Sequence, residues 1–154
     1  MAAVLDDNTL RLVRIFNASR ERVFDAFAVE EQFIQWMCPP GVEVDEVRLD
    51  VRPGGAWHLR GRKPTGAGFA TSGKYVEVRR PERLVFTWAH HASDDTASPL
   101  GHQTTVRLEF RALGDKTELT LIHGPFDSAS NLRGHNEGWT GSLDKLATYL
   151  RRAA

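Results

Sequence analysis

"GHNEGWTGSLDKLATYLRR", residues 134–152, is the stretch whose reading decides the fold. Trp139, Leu143, Leu146 and Leu150 fall at i, i+4, i+7 and i+11, which makes one apolar stripe along a helix. Gly138 and Gly141 stand inside the first turns, and each glycine costs ~1 kcal/mol relative to alanine in a helix interior. Such a helix must be held by tertiary packing rather than by propensity, so the rest of the chain has to supply a large apolar surface. With Trp139 at the centre of the buried face and 100° per residue, Gly138 is expected at the edge of that face, where it admits close approach of backbone or ligand. Gly141 points nearly away and is assigned no packing role.

The surface comes from what precedes the helix. "TLRLVRIFNAS" reads as a strand, and Ser19 offers its hydroxyl as an N-cap to "RERVFDAFAV", a short amphipathic helix. "EEQFIQW" reads as a second short helix, which "CPPG" stops, because prolines remove a donor and restrict the preceding residue. From there the apolar period is two. "VEVDEVRLDV" changes parity between Val44 and Val47, the mark of a bulge or bend. "RPGG" turns the chain into "AWHLRG"; "GFATSGKYVEV", "LVFTW", "TTVRLEF" and "TELTLIH" follow, the last two joined as a hairpin across "RALGDK". The predicted order is β-α-α-β6-α. A seven-stranded, mostly antiparallel sheet curls around the C-terminal helix.

Length and composition bound the function. The 154 residues fit a single domain, 1–154, with 41% hydrophobic and 26% charged residues. Lys+Arg and Asp+Glu are 20 each, which provides no general attraction to nucleic acid or to an anionic membrane, and no apolar run approaches a membrane span. Near-zero charge and a strand-rich fold are compatible with a homodimer. Cys38 is the only cysteine, so no intrachain disulfide forms; it reads as a small buried hydrophobe, and the cytoplasm is the expected compartment. The opening "MAAVLDDNTL" has no basic region and does not read as a signal peptide.

Strand parity places Leu84, Phe86 and Trp88 on one inward face, with His102, Thr104, Val106, Leu108 and Phe110 on the next strand, although His102, where loop becomes strand, reads as exposed. Thr117, Leu119, Leu121 and His123 share another face, and Trp57 and Leu59 a fourth. His135 precedes Trp139 by four residues and faces the stripe. Trp57, Trp88, His123, His135 and Trp139 are therefore the candidate ligand-binding residues of a cavity between sheet and helix, a mostly apolar lining with a few polar groups. Each tryptophan reads either as core or as cavity wall. His123 reads either as a neutral histidine hydrogen-bonded at the cavity rim or as a ligand-binding or acid–base group, and His135 divides in the same way. "HHASDDTASPLGH" contains His90, His91, Asp94, Asp95 and His102, but no HExxH or CxxC spacing, so it reads as a mobile polar loop and a lid rather than a metal site. No nucleophile elbow or phosphate loop is present, and no cofactor and no metal are expected.

"ASRERVFDAF", "QWMCPPG", "DVRPGGAWHL", "GKYVEVRRPERLVFTW", "TTVRLEF", "TELTLIH" and "GHNEGWTGSLDKLATYL" occur together in an order that resembles the activator of heat-shock-protein-90 ATPase homologue-like family, of the START-like (SRPBCC), birch-pollen-allergen-like superfamily. The resemblance spans roughly residues 10–150. It implies the α+β helix-grip fold, with a cavity between the sheet and the gripped helix. It does not imply a reaction, because the superfamily includes carriers, receptors, cyclases and chaperone co-factors. The chaperone activators that name the family carry a separate N-terminal domain, whereas about nine residues precede the first predicted strand here. The leading expectation is a binder of a small hydrophobic or aromatic molecule. The alternatives are a cyclase-, dehydratase- or hydrolase-type enzyme using cavity histidines, and a chaperone-related interaction module.

Overall fold

In the computed structural model, which describes residues 2–6 and 8–152, all strands belong to one antiparallel sheet. The chain runs β1 (Ala2–Asp6), β2 (Thr9–Phe16), α1 (Arg20–Ala28), α2 (Glu30–Trp36), β3 (Glu43–Leu49), β4 (Ala56–Arg62), β5 (Gly68–Arg79), β6 (Arg83–His90), β7 (Thr104–Leu113), β8 (Lys116–Gly124) and α3 (Ala129–Arg152). The seven predicted strands are β2 to β8, and they follow the helix-grip order. An eighth, β1, joins the open edge of β2, so the spatial order is β1-β2-β8-β7-β6-β5-β4-β3.

Local chemistry sets the boundaries. Ser19 caps α1 by accepting the Arg22 N–H at 3.3 Å. α2 ends at Trp36, before the two prolines. The parity slip in β3 is a register shift between Val44 and Glu46 against β4. Gly73, inside β5, permits a close approach: a Cβ there would fall 1.8 Å from the Thr87 carbonyl oxygen, and that oxygen accepts the Trp57 indole N–H at 3.0 Å.

The inward faces are those expected from parity. Leu59, Leu84, Val106, Leu108, Phe110, Leu119 and Leu121 are buried in one core with α1, α2 and α3. His102 is exposed and contacts the Pro125 carbonyl oxygen. α3 buries Trp139, Leu143, Leu146 and Leu150 against the sheet. Arg14 pairs with Asp144 at 2.9 Å, and the Arg22 guanidinium donates to the Leu150 carbonyl oxygen, one of the acceptors that a helix C-terminus leaves without an intrahelical partner.

The two helix glycines behave differently from the single-face wheel. The "CPPG" segment covers a second side of α3, so a Cβ on Gly141 would meet Pro39 Cβ at 2.9 Å and Pro40 Cδ at 3.1 Å. Gly141, expected to point away, is the glycine that permits close packing. Gly138 has nothing within 4 Å of a built Cβ, and the space beside it is a cavity.

Candidate functional site

A cavity of about 580 Å³ lies between α3 and the strands. Met37, Cys38, Pro39 and Val42 close one side; Leu59, Phe69, Ala70, Thr71, Trp88 and His90 form the sheet wall. Asn131, Gly134, His135, Gly138, Trp139 and Ser142 line it from the helix, and Lys63 and Ser93 stand at its rim. A second space of about 200 Å³ adjoins it and shares Trp88, His90, Asn131 and His135 with the first.

Of the five residues predicted to bound the cavity, Trp88, His135 and Trp139 line it. Trp57 and His123 are buried behind them, and neither reaches either space. Trp57 contacts Trp88 with ring centroids 5.4 Å apart, so it supports the wall from behind.

His123 is at the centre of a closed hydrogen-bond chain. The Trp139 indole N–H donates to His123 Nδ1 at 2.9 Å, so Nδ1 is an acceptor and the ring proton is on Nε2. Nε2 donates to Thr104 Oγ1 at 2.7 Å, and the Thr104 hydroxyl donates to the Trp88 carbonyl oxygen at 3.1 Å. Every polar atom in the chain is partnered, and an imidazolium would set a second N–H against the indole N–H. Burial holds His123 well below the ordinary histidine range, with the positive ends of His135 and His90 adding to the effect. His123 is a neutral structural group that fixes Trp139 against the sheet, and it lies beneath the cavity rather than at its rim.

A pair of histidines does face the cavity. His90 Nε2 and His135 Nε2 are 2.9 Å apart. His135 Nδ1 is 2.7 Å from the Asn131 carbonyl oxygen, which can only accept, so Nδ1 carries the proton and Nε2 is the acceptor. His90 Nε2–H must then be the donor, and its Nδ1 takes the Thr71 hydroxyl at 2.8 Å. Desolvation pushes the His90 imidazole down to about 4, with His135, Lys63 and His91 acting in the same direction. His90 is itself exposed, so solvent screens this effect. His135 is lowered by desolvation, opposed by its bond to Asn131 and by Asp127. His90 is the next member of the Leu84, Phe86, Trp88 series, a parity signal masked by the polar run that starts with it.

The segment after β6, expected to be a mobile lid, is tied down. His91 Nδ1 donates to the Ser98 carbonyl oxygen at 2.8 Å, and its Nε2 accepts the Ser72 hydroxyl at 2.6 Å. Backbone bonds Ala92 N–Pro99 O and Gly101 N–His90 O close the excursion. Cys38 is buried, and desolvation raises its thiol to about 11, only partly opposed by Lys145, so it is no nucleophile at neutral pH. Among the described residues no group of three or more His, Cys, Asp or Glu is placed to hold a metal ion. Nor is any helix there long and apolar enough to cross a membrane.

The profile of the family described as "Activator of Hsp90 ATPase homolog 1-like protein" matches residues 17–151. Among solved structures, the AHSA1 protein from Silicibacter pomeroyi shares 29% identity, with 95% of this chain and 99% of that one covered and a TM-score of 0.84. A protein from Chromobacterium violaceum shares 27% identity, covers 93% and 96%, and has a TM-score of 0.81. A Rhodobacter sphaeroides protein has the same fold at 16% identity, covering 100% and 99%, with a TM-score of 0.83. No curated protein matches the sequence.

Proposed function

Because this chain belongs to the activator of Hsp90 ATPase homolog 1-like family, whose fold grips a helix over a space that can be left open, we propose that it binds a small hydrophobic or aromatic molecule in the 580 Å³ cavity beside Gly138. The observation that carries the reading is the conjunction of that space with its wall. Trp88, Trp139, Phe69, Leu59 and Met37 supply apolar surface, while a few polar groups converge at one end, as in small-molecule sites. A filled interior with a broad exposed apolar patch would have favoured a protein-interaction module. Here Ile15, Val76 and Leu100 are the large hydrophobics that stand exposed among the described residues, on β2, on β5 and in the segment between β6 and β7. Acid–base chemistry is the second reading, because the His90–His135 pair faces the same space. It ranks lower because each Nε2 is engaged by the other ring.

The test is saturation binding of the neutral fluorophore N-phenyl-1-naphthylamine, followed by its emission and by quenching of tryptophan. Wild type should bind it saturably. Gly138→Leu should block binding with its melting temperature kept or raised, since a helix glycine is removed into open space. Absence of binding to wild type, or unaltered binding in Gly138→Leu, would overturn the reading.

A further inference from the structure

We propose that the cavity's ligand carries an anionic head, a carboxylate or a group of like charge, seated at the end formed by His90, His135 and Lys63, and that its binding draws one proton onto the histidine pair. The inference rests on the binding reading above and specifies the chemical class of the ligand.

Three observations carry it. First, every ionisable side chain with a charged form near neutral pH that lines the cavity is a base: Lys63, His90, His91 and His135, with no Asp or Glu among the lining residues. Lys63 is the fixed positive charge among them, and the His90–His135 pair stays neutral until it takes up a proton. Lys63 has no carboxylate partner among the ion pairs of the described residues. Two carboxylates lie close by: Asp127 acts on His135, and Asp94 packs over Gly68 at the mouth.

Second, the hydrogen bonds of the pair admit one extra proton and no more. His135 must donate from Nδ1 to Asn131 and accept at Nε2. His90 donates from Nε2, and its Nδ1 can either accept from Thr71 or, once protonated, donate to Thr71 Oγ1. A second proton would set Nε2–H against Nε2–H. The pair is thus built to hold a single positive charge, and the bases around His90 (Lys63 and His91) oppose that charge until an anion arrives. Third, the Trp88 indole N–H is buried without a hydrogen-bond partner, on a residue shared by both spaces. A buried donor left unused beside the pair is what an oxygen-bearing anionic head complements.

The linkage has a definite sign. A nearby anion raises a histidine pKa, by about 1–3 units at close range. At the upper end of that range, starting from about 4 at His90, carboxylate affinity is about tenfold higher at pH 6 than at pH 8.5. A neutral isostere has no such slope. The experiment uses two matched pairs of probes, 2-naphthoate with 2-naphthamide and octanoate with octanamide, titrated calorimetrically at pH 6 and pH 8.5. Buffers of different ionisation enthalpy report proton uptake. We expect the carboxylate-to-amide affinity ratio to be about tenfold or more at pH 6 and to fall towards a few-fold at pH 8.5, with net proton uptake only for the carboxylates. In His90→Gln the ratio should stay at the few-fold value that wild type shows at pH 8.5 and lose its pH dependence. Lys63→Met, at the exposed rim, should lower the ratio about two- to threefold at both pH values while the slope remains. Amides binding as tightly as carboxylates at pH 6, or a pH slope that survives His90→Gln, overturn the inference and leave the binding reading standing. If neither probe of either pair binds, both fall together.

Discussion

Replacing each of the two helix glycines by alanine separates propensity from packing, because the helix term is common to both. Gly138→Ala and Gly141→Ala each gain ~1 kcal/mol of helix propensity. At position 138 the new methyl meets nothing within 4 Å, so the gain stands alone. At position 141 it arrives 2.9 Å from Pro39 Cβ and 3.1 Å from Pro40 Cδ. Carbon atoms in contact prefer about 3.5–4.0 Å, so the proline pair must retreat by roughly 0.5 Å or more. Neither ring has a rotamer in which to escape. Overpacking of this kind costs about 1–3 kcal/mol, so Gly141→Ala should be neutral to destabilised by about 2 kcal/mol. For a chain of this size 1 kcal/mol corresponds to about 2–4 °C in melting temperature. The expected result is a rise of about 2–4 °C for Gly138→Ala, and a melting point about 2–12 °C lower for Gly141→Ala than for Gly138→Ala. Far-UV circular dichroism melts, backed by urea midpoints, measure it. Equal stabilisation of both variants would refute the claim that the Pro39–Pro40 segment packs on Gly141.

Acid should unfold the protein earlier than its carboxylates alone would require. His90, His123 and His135 are all lowered in the folded state, so the native chain binds fewer protons than the unfolded one; the stability they contribute is complete above about pH 6.5 and is lost as pH falls towards the folded values, about 4 for His90. Urea midpoints from pH 7.5 to 4.5 should fall, with His123 alone supplying at most ~1.4 kcal/mol per pH unit, and His123→Gln should flatten the slope; an unchanged slope rejects the cluster as its source. Thr104→Val leaves the His123 Nε2–H without its acceptor and should cost about 1–3 kcal/mol, read from the same midpoints; a cost near zero would show that the chain from Trp139 to Trp88 is not fixed as described. If two copies pair, the open backbone edge of β1 is the expected seam, since the other edge strand, β3, carries Glu43, Asp45, Glu46 and Arg48. Light scattering should then show a dimer that removal of residues 1–7 converts to a monomer, and a monomer at high concentration would dismiss it.

The parts of the fold written in side-chain period were legible. Seven strands and the gripped helix follow from alternation and from the Trp139 stripe, and the bulge in β3 was readable because a bulge changes parity between Val44 and Val47. β1 was not, since a five-residue edge strand held by backbone bonds to β2 leaves little pattern. Parity also states which way a residue faces but not how deep it lies. It put His123 and Trp57 on the right face, yet both are covered by a further layer of aromatic rings: His123 by Trp139 and Phe126, Trp57 by Trp88. The packing of Gly141 depended on the proline segment, which a helical wheel drawn against the sheet alone does not contain.

The bonds that tether His91 to Ser72 and Ser98 have a kinetic consequence. A site whose rim must first fold over its guest shows uptake rates that level off as guest concentration rises, at the rate of the closing step. Here the rim is already stitched to the sheet. The observed relaxation rate should therefore climb in proportion to concentration, with a single exponential throughout, and differences in affinity between guests should appear as differences in how long each one stays.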